Sequence, residues 1–247
     1  SFGDVWFGIH AWIEVAVKML GKKQMDKASL RKFKDEVAIM NRVKHPRIVN
    51  FYGAVWDPPN FWLVLEFANA GSLQSALHEA DVEAALRPQK LALMREVCDA
   101  FQYLHTAFEK ALLHRDLKGD NVLLTRAPAP SAMEDLHDVT RLRECAWHAK
   151  LADFGEARTM ADEGEGQTMT GTPFFMAPEV FAGDNMYDEK CDVYSFAVLL
   201  LETWVPETPH KDIPTAWGVA LASDGRDSHQ ARIGGRAAMF HAPVREK

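Results

Sequence analysis

His114-Arg115-Asp116-Leu117-Lys118-Gly119-Asp120-Asn121 forms one continuous stretch of this chain, and Asp153-Phe154-Gly155 follows it. Either piece alone would be unremarkable, since a charged surface turn or an ordinary loop can carry such residues. Together they supply a carboxylate that can orient a hydroxyl, a lysine for a phosphate, and two oxygen ligands for a divalent metal. The combination therefore decides how the rest of the chain is interpreted.

Four side chains of these two stretches have distinct chemical uses. Asp116 can accept a hydrogen bond from a substrate hydroxyl and orient it for in-line attack. Lys118 can neutralise charge on a transferring phosphoryl group. Asn121 offers an amide oxygen and Asp153 a carboxylate, both suitable ligands for Mg²⁺. The residue types predict phosphoryl transfer assisted by Mg²⁺.

Composition limits the remaining possibilities. The chain has 247 residues, 47% hydrophobic and 26% charged, which is typical of a globular protein with one large domain or two lobes. Its net charge of −7 argues against nucleic acid or an anionic membrane as a general partner. The longest apolar run, 196–201, is far too short to span a bilayer. Three scattered cysteines, without a signal peptide at a start that looks cut, favour a reducing, cytoplasmic location.

The first third of the chain predicts strands and one helix. Residues 15–19 form a short apolar strand that ends near Lys18, and 49–56 and 61–65 predict two strands joined by a turn at 57–60. An amphipathic helix is expected over about 27–44, ending before a proline; its apolar face comprises Leu30, Phe33, Val37, Met40 and Val43.

Helices dominate after Gly71. An apolar face recurs through Leu93, Val97, Ala100, Phe101 and Leu104, and 193–201 is apolar nearly all round, which predicts a helix buried in a large core. We therefore expect a small β-rich lobe over 1–65, a hinge over 66–71 and a larger helical lobe over 72–222, with a ligand cleft between the lobes. An insertion at 125–148 and an atypical tail at 223–247 complete the predicted organisation.

Lys18 and Glu36 are informative as a pair. Alone, Lys18 is as well explained by a solvated strand end, and Glu36 by a surface acid on the predicted helix. A strand lysine that binds phosphate oxygens, however, needs an anion to hold its flexible stem, and a helix glutamate over the sheet can provide it. Such a pair would also act as a switch, because moving the helix breaks it.

The Thr-rich segment 168–173 precedes Ala177-Pro178-Glu179. A phosphate on one of these threonines would add about two negative charges, which Arg115 could bind. The alternative is an unmodified polar loop. Gly3, a lone glycine near the start, is a weaker signal for a Gly-rich phosphate loop.

With these residues quoted, the chain resembles a eukaryotic-type protein kinase from Ser1 to about residue 220. The motifs stand in that family's order: Val15-Ala16-Val17-Lys18, Glu36, the Asp116 stretch, Asp153-Phe154-Gly155, Ala177-Pro178-Glu179 and Asp192-Val193-Tyr194-Ser195-Phe196. Lys118 and Gly171-Thr172-Pro173 look like the serine/threonine branch. His45-Pro46-Arg47-Ile48-Val49 with Gly53-Ala54-Val55 is similar to the tyrosine-kinase-like group.

The resemblance implies an α+β, two-lobed fold that uses ATP and Mg²⁺ and acts on Ser/Thr hydroxyls of protein substrates. It implies the following nucleotide contacts: Gly3 and Val5 from the end of a Gly-rich loop, Ala16 and Leu123 on the adenine with Val5, Leu65 as gatekeeper, and Glu66 to Ala68 as the hinge.

The resemblance further implies catalytic roles for Asp116, Lys118, Lys18 and Glu36, and metal ligation by Asn121 and Asp153. A stack of Met40, Phe51, His114 and Phe154 is expected, with Thr172 contacting Asp116 and Lys118, and Asp192 bracing the loop. Thr168 is the expected phosphosite, modified by an upstream kinase or by autophosphorylation.

Several features depart from the family pattern. The first strand, the earlier glycines and the closing helices that would pair Glu179 with an arginine are not recognisable, so the domain looks truncated at both ends. Glu156 is an acid where the family often has an apolar residue. A catalytically weak or inactive scaffold with a kinase fold is therefore the alternative function.

Overall fold

The computed structural model describes residues 3–20, 27–58, 60–127, 139–160, 171–182 and 187–205. Its small lobe is a four-stranded antiparallel sheet in the order β1-β2-β4-β3. The strands are β1 (Gly3–His10), β2 (Ile13–Leu20), β3 (Phe51–Asp57) and β4 (Asn60–Glu66). Three of them match the predicted strands, and the predicted turn joins β3 to β4 through the pair Asp57↔Asn60.

β1 is a strand that the sequence did not predict. It pairs with β2 from Gly3↔Leu20 to His10↔Ile13 across a two-residue turn. Ala11 and Trp12 form this turn, and both have positive φ, 47° and 67°. Such a hairpin turn normally carries Asn or Gly, so Ala-Trp gives no sequence signal for it.

α1 (Lys27–Arg42) packs against this sheet, close to the predicted bounds of 27–44. Its apolar face meets the sheet in a cluster centred on Phe33, Phe61 and Leu63. Glu36 is also buried in this helix, although its position in the sequence alone suggested a surface acid. A buried carboxylate requires a partner of opposite charge or a hydrogen-bond donor, and Lys18 of β2 provides it.

The large lobe is mainly helical. Its elements are α2 (Leu73–His78), α3 (Ala80–Leu86), a 3₁₀ turn (Arg87–Gln89), α4 (Lys90–Thr106), α6 (Pro178–Phe181) and α7 (Lys190–Trp204). The predicted face of α4 is buried throughout, from Leu93 to Leu104. The α+β, two-lobed architecture expected from the sequence is confirmed.

α7 corrects one prediction. The run 193–201 predicted a helix buried on nearly all sides, yet Val193 and Leu201 are each more than half exposed in the described structure. The buried face instead includes polar residues, Asp192, Ser195 and Glu202. Asp192 accepts hydrogen bonds from the backbone N–H groups of His114 and Arg115, and Ser195 Oγ donates to the Phe175 carbonyl, so the buried face of this helix satisfies backbone groups of neighbouring loops.

The large lobe also contains two pairs of short antiparallel strands. β5 (Leu112–Leu113) pairs with β8 (Arg158–Thr159), and β6 (Val122–Ala127) forms a hairpin with β7 (Ala146–Leu151). A 3₁₀ turn (Gly119–Asn121) leads into β6.

The β6–β7 hairpin also redefines the insertion. Its last pair is Ala127↔Ala146, so the segment that leaves the hairpin tip spans 128–145, shorter than the predicted 125–148. α5 (Val139–Glu144) lies within it, and Leu142 is buried against the core of the large lobe. The insertion therefore leaves from the end of the hairpin that is remote from Asp153.

The lobes are joined by backbone hydrogen bonds near the start of β3. Val49 N–H donates to the carbonyl oxygen of Leu151, whose N–H donates to that of Arg47. Thr168, the tail 223–247 and the expected end of the large lobe at 206–222 lie outside the described residues. Among the helices that are described, none has the length and apolarity needed to traverse a bilayer.

Candidate active site

Lys18 on β2 lies at the centre of a buried charge cluster. Its Nζ is 2.9 Å from Glu36 Oε1 of α1 and 2.9 Å from Asp153 Oδ1. Burial lowers the pKa of the Lys18 ammonium, but the charges and hydrogen bonds of the two carboxylates outweigh burial and raise the pKa above its ordinary value. The ammonium therefore stays charged, and it is held where it could contact an anionic ligand.

Glu36 responds oppositely to the same cluster. Burial raises the pKa of its carboxyl, and the positive charge of Lys18 partly offsets this rise. The buried carboxylate thus depends on Lys18 to remain ionised. The predicted Lys18–Glu36 pair is present in the structure, and Asp153 is brought to it from a segment 135 residues away.

The His114–Asn121 loop is fixed from beneath by Asp192 of α7. Asp192 Oδ2 accepts from the N–H of His114 at 2.9 Å, and Oδ1 accepts from the N–H of Arg115 at 2.8 Å. His105 Nε2 of α4 lies 2.9 Å from the same carboxylate. Arg115 has a positive φ of 64°, an uncommon conformation for a residue with a Cβ. The buried carboxylate stabilises this strained turn, as the sequence interpretation of Asp192 expected.

Asp116 is held by three neighbours. Thr172 Oγ1 donates to its Oδ1 at 2.9 Å, Asn121 Nδ2 donates to its Oδ2 at 2.9 Å, and Lys118 Nζ lies 3.1 Å from Oδ2. Lys118 also donates to Thr172 Oγ1 at 2.8 Å, which gives both contacts predicted for that threonine. The carboxylate is part-buried and restricted in orientation, so it could accept one further hydrogen bond from a hydroxyl.

Asn121 and Asp153, the two expected metal ligands, lie on segments that are joined by a backbone hydrogen bond. The Asn121 amide nitrogen is used by Asp116, and its Oδ1 has no hydrogen-bond partner among the described residues. Ala152 N–H donates to the Asn121 carbonyl at 2.9 Å, which holds Asp153 next to this loop. An amide oxygen and a carboxylate fit a hard divalent cation that completes its shell with water or phosphate oxygens. Within the described residues, no group of three or more His, Cys, Asp or Glu side chains is arranged so that it could hold a metal ion.

The residues expected around an adenine lie on strands β1, β2, β4 and β6 and in the segment that follows β4. Ala16 of β2 is paired with Leu65 of β4, and Val5 of β1 is 64% exposed. Leu123 of β6 forms an isolated bridge with Ser72 at the start of α2. Gly3 is the first residue of β1, paired with Leu20, so it lies within a strand. Ala68 follows β4 in the segment that connects the lobes.

Glu66, the other expected hinge residue, uses its side chain for structure. Its carboxylate accepts from the backbone N–H and the amide of Asn50, at 3.1 and 3.0 Å. Lys150 Nζ of β7 lies 2.9 Å from Glu66 Oε1. The carboxylate of Glu66 is therefore occupied, and its backbone N–H already donates to the Asn50 carbonyl at 2.9 Å.

Two members of the predicted hydrophobic stack are in direct contact. The rings of His114 and Phe154 meet edge to face with centroids 5.1 Å apart, and His114 Nε2 donates to the Ala152 carbonyl at 3.0 Å. Met40 shares the same core cluster as Phe154, and Phe51 packs against that cluster. These contacts position Phe154 beneath α1 and leave Asp153 directed at Lys18.

Sequence reasoning missed two partners of this site. The Tyr187 hydroxyl accepts from Arg115 Nη1 at 2.8 Å, and the carbonyl of Glu156 accepts from Arg115 Nε at 2.7 Å. Glu156 Oε1 also pairs with Lys32 Nζ of α1 at 3.0 Å. Only the unusual acid at position 156 gave a signal in the sequence, and without tertiary structure its partner could not be named.

The chain is similar to known proteins over most of its length. The protein kinase domain family matches residues 1–222 of this chain. Serine/threonine-protein kinase STY46 of Arabidopsis thaliana is 34% identical over 211 residues, which is 85% of this chain and 32% of that protein. Serine/threonine-protein kinase ULK3 of Homo sapiens is 32% identical over 79% of this chain and 36% of its own length. Serine/threonine-protein kinase CTR1 of Arabidopsis thaliana is 34% identical over 89% of this chain and 24% of its own length. The chain spans about a quarter to a third of these relatives.

Proposed function

We infer that this chain, which belongs to the protein kinase domain family, transfers the γ-phosphoryl group of ATP to serine or threonine hydroxyls of protein substrates. The names of its relatives support the serine/threonine class. The observation that supports the proposal is the pairing of Lys18 with Glu36 and Asp153, together with the hydrogen bonds that join Asn121 to Asp116 and to Ala152 beside Asp153.

Asp116 is the residue that receives the substrate hydroxyl. Its carboxylate is oriented by Thr172, Lys118 and Asn121, so it presents a fixed acceptor to an incoming O–H. Preorganisation of this kind accounts for much of the catalysis in phosphoryl transfer, because little covalent chemistry falls to the protein. The ammonium of Lys118 stands beside the acceptor, where negative charge develops on the transferred group.

Lys18 holds the nucleotide phosphates. Its ammonium is fixed between two carboxylates and stays charged, and it contacts phosphate oxygens without a large loss of side-chain entropy. Asn121 and Asp153 would hold Mg²⁺, which when bound supplies charge neutralisation across the phosphate oxygens. Val5, Ala16, Leu65 and Leu123 provide the apolar walls for the base, and the backbone of Glu66 and Ala68 its polar contacts.

Phosphorylation of Thr168, by an upstream kinase or by the same protein, is proposed as the control of this site. The guanidinium of Arg115 already donates to Tyr187 and Glu156, so a phosphate on Thr168 would share it with these partners. Mass spectrometry of active protein checks the site: unmodified Thr168, with full rate retained in Thr168→Ala, would exclude this role.

The partner and location proposals rest on composition. Protein substrates are proposed, and nucleic acid is not, because the net charge of −7 disfavours polyanions. A cytoplasmic location agrees with Cys98, Cys145 and Cys191, none of which forms a disulfide within the described residues.

The decisive experiment uses the chain with its native flanking sequence. Mg²⁺-dependent transfer from labelled ATP to a generic basic protein and to itself is measured for the wild type, Asp116→Asn and Lys18→Met. Both variants should lose activity by about two to four orders of magnitude, the 10²–10⁴-fold that a single positioned group contributes. Lys190→Met, at an exposed pair with Asp188, serves as the matched control and should keep full activity.

The same experiment tests the scaffold alternative. A wild-type protein that binds ATP with the affinity of a nucleotide-binding domain, yet never transfers phosphate to a substrate or to itself, would establish the scaffold and refute the enzyme. No contact described here favours that outcome, since every catalytic side chain type is present and paired.

A further inference from the structure

Glu156 follows Asp153-Phe154-Gly155 directly and has two separate contacts. Its carboxylate Oε1 lies 3.0 Å from Lys32 Nζ of α1. Its backbone carbonyl accepts from the guanidinium of Arg115 in the His114–Asn121 loop. One residue thus connects α1, the Asp153 segment and the loop that carries Asp116.

Lys32 and Glu36 lie one helical turn apart on α1 and therefore on the same face. Glu36 reaches the Asp153 segment through Lys18, which is 2.9 Å from each carboxylate. Lys32 reaches the same segment directly at Glu156. The two ionic contacts to α1 are four residues apart on the helix, at Lys32 and Glu36, and three residues apart on the other segment, at Asp153 and Glu156. Together they form a ring of side chains between α1 and the Asp153 segment.

The ring constrains motion in a way that one pair does not. A single ion pair at Glu36 fixes one point of α1, and the rotation of the helix about that point is then limited only by its apolar packing on the sheet. A second contact at Lys32 fixes the rotation, because swinging the N-terminal turn outward separates Lys32 from Glu156. The two contacts differ in environment, since the Lys32 side chain is 64% exposed and that of Lys18 is 9% exposed.

We propose that Lys32 and Glu156 are positioning residues that hold α1 against the Asp153 segment and so keep Lys18, Glu36 and Asp153 assembled for the nucleotide. Neither residue touches reacting atoms; both act through the buried pair and through Arg115. The proposal rests on the proposed kinase activity for its main measurement. It gives a role to the acid at position 156.

The experiment is a charge-swap cycle on the flanked protein: Lys32→Glu, Glu156→Lys and the double swap, with the neutral variants Lys32→Gln and Glu156→Gln. Each neutral variant should lower kcat/KM for ATP by about two- to fivefold, the size set by an exposed ion pair. Each single reversal should lower it further, because it brings like charges together. The double swap should return to within about twofold of wild type.

Two further measurements separate a positioning role from a merely structural one. Raising the salt from low to about 0.5 M should remove most of the difference between wild type and the neutral variants, since exposed pairs are screened. The KM for the protein substrate should not change. Lys190→Gln, which breaks an exposed pair of similar length with Asp188, should behave as wild type throughout.

The proposal would be overturned if the loss of kcat/KM in the double swap equalled or exceeded the product of the fold losses in the two single reversals. It would also be overturned if the neutral variants kept the kcat/KM of the wild type at low salt. Failure of the proposed function is distinguished by the wild type itself, which would then transfer no phosphate. In that case the urea unfolding midpoint of the same variants is measured with Mg²⁺ and ATP present. A double swap that recovers the wild-type midpoint supports the contact, and strictly additive changes in the midpoint reject it.

Discussion

Lys18→Met offers the sharpest test of the buried charge cluster. The substitution keeps much of the side-chain volume and removes the charge that neutralises Glu36, whose side chain is 7% exposed. Breaking a buried ion pair by removal of one partner costs about 3–5 kcal/mol, because the other charge is left uncompensated. We expect the upper part of this range at neutral pH, since Asp153 also loses its contact with Lys18.

The cost should depend on pH in a defined direction. Burial raises the pKa of the Glu36 carboxyl and Lys18 lowers it, so removal of Lys18 raises that pKa further. A carboxyl with a raised folded-state pKa stabilises the fold below its unfolded pKa, and that stability is lost as pH rises through the folded value. Lys18→Met should therefore be less destabilising at about pH 5 than at about pH 8.

The assay is urea unfolding at both pH values for the wild type, Lys18→Met, Glu36→Gln and the double variant. The double variant should be more stable at about pH 8 than the sum of the single losses predicts, with a coupling of about 1–3 kcal/mol. Lys190→Met removes an exposed lysine whose Asp188 partner lies at 2.8 Å, and it should change stability by less than about 0.5 kcal/mol. Additive losses that are equal at the two pH values would refute the reasoning.

Three further predictions concern packing and thiol reactivity. Gly171→Ala should destabilise the fold by about 1–3 kcal/mol, because φ is +116° and a Cβ there would lie 2.6 Å from a backbone carbonyl oxygen. Gly53→Ala, where no atom lies within 4 Å of the added Cβ, is the control for urea unfolding. Asp192→Ala should cost about 2–6 kcal/mol by orphaning two buried N–H donors, and a midpoint close to wild type would contradict this. Burial raises the pKa of the Cys191 thiol far above its ordinary value, so an alkylating reagent at about pH 8 should modify exposed Cys98 first. Equal labelling of the two in native protein would argue against this.

The strands and helices that carry an apolar period were predictable because their burial repeats along the sequence. β2, α1, β4 and α4 lie close to the expected residues, since each has one face directed at a core. β1 was missed because its turn uses Ala11-Trp12 and because both faces of the strand expose large residues. The face of α7 was misjudged because its polar side chains satisfy backbone donors that only the folded chain brings near.

The chemistry of the candidate site could also be predicted from the sequence, because its key residues lie close together along the chain. Phosphoryl transfer demands particular side chains in short local arrangements, and the stretch 114–121 keeps Asp116, Lys118 and Asn121 within six residues of each other. Contacts between segments that are distant in the sequence could not be predicted in this way, because no local pattern identifies their partners. Tyr187 with Arg115, and Lys32 with Glu156, join residues 72 and 124 positions apart.

By itself, therefore, the sequence determined the residue types of a phosphoryl-transfer site, the two-lobed division and the order of motifs. Only the tertiary structure decided that Lys18 is held by two carboxylates at once, that Asp192 supports the strained turn at Arg115, and that Glu156 is tied to α1. The physical reason is that side-chain chemistry and hydrophobic period are local properties of a chain. Charge pairing and the satisfaction of buried donors depend on which distant segments folding brings within about 3 Å.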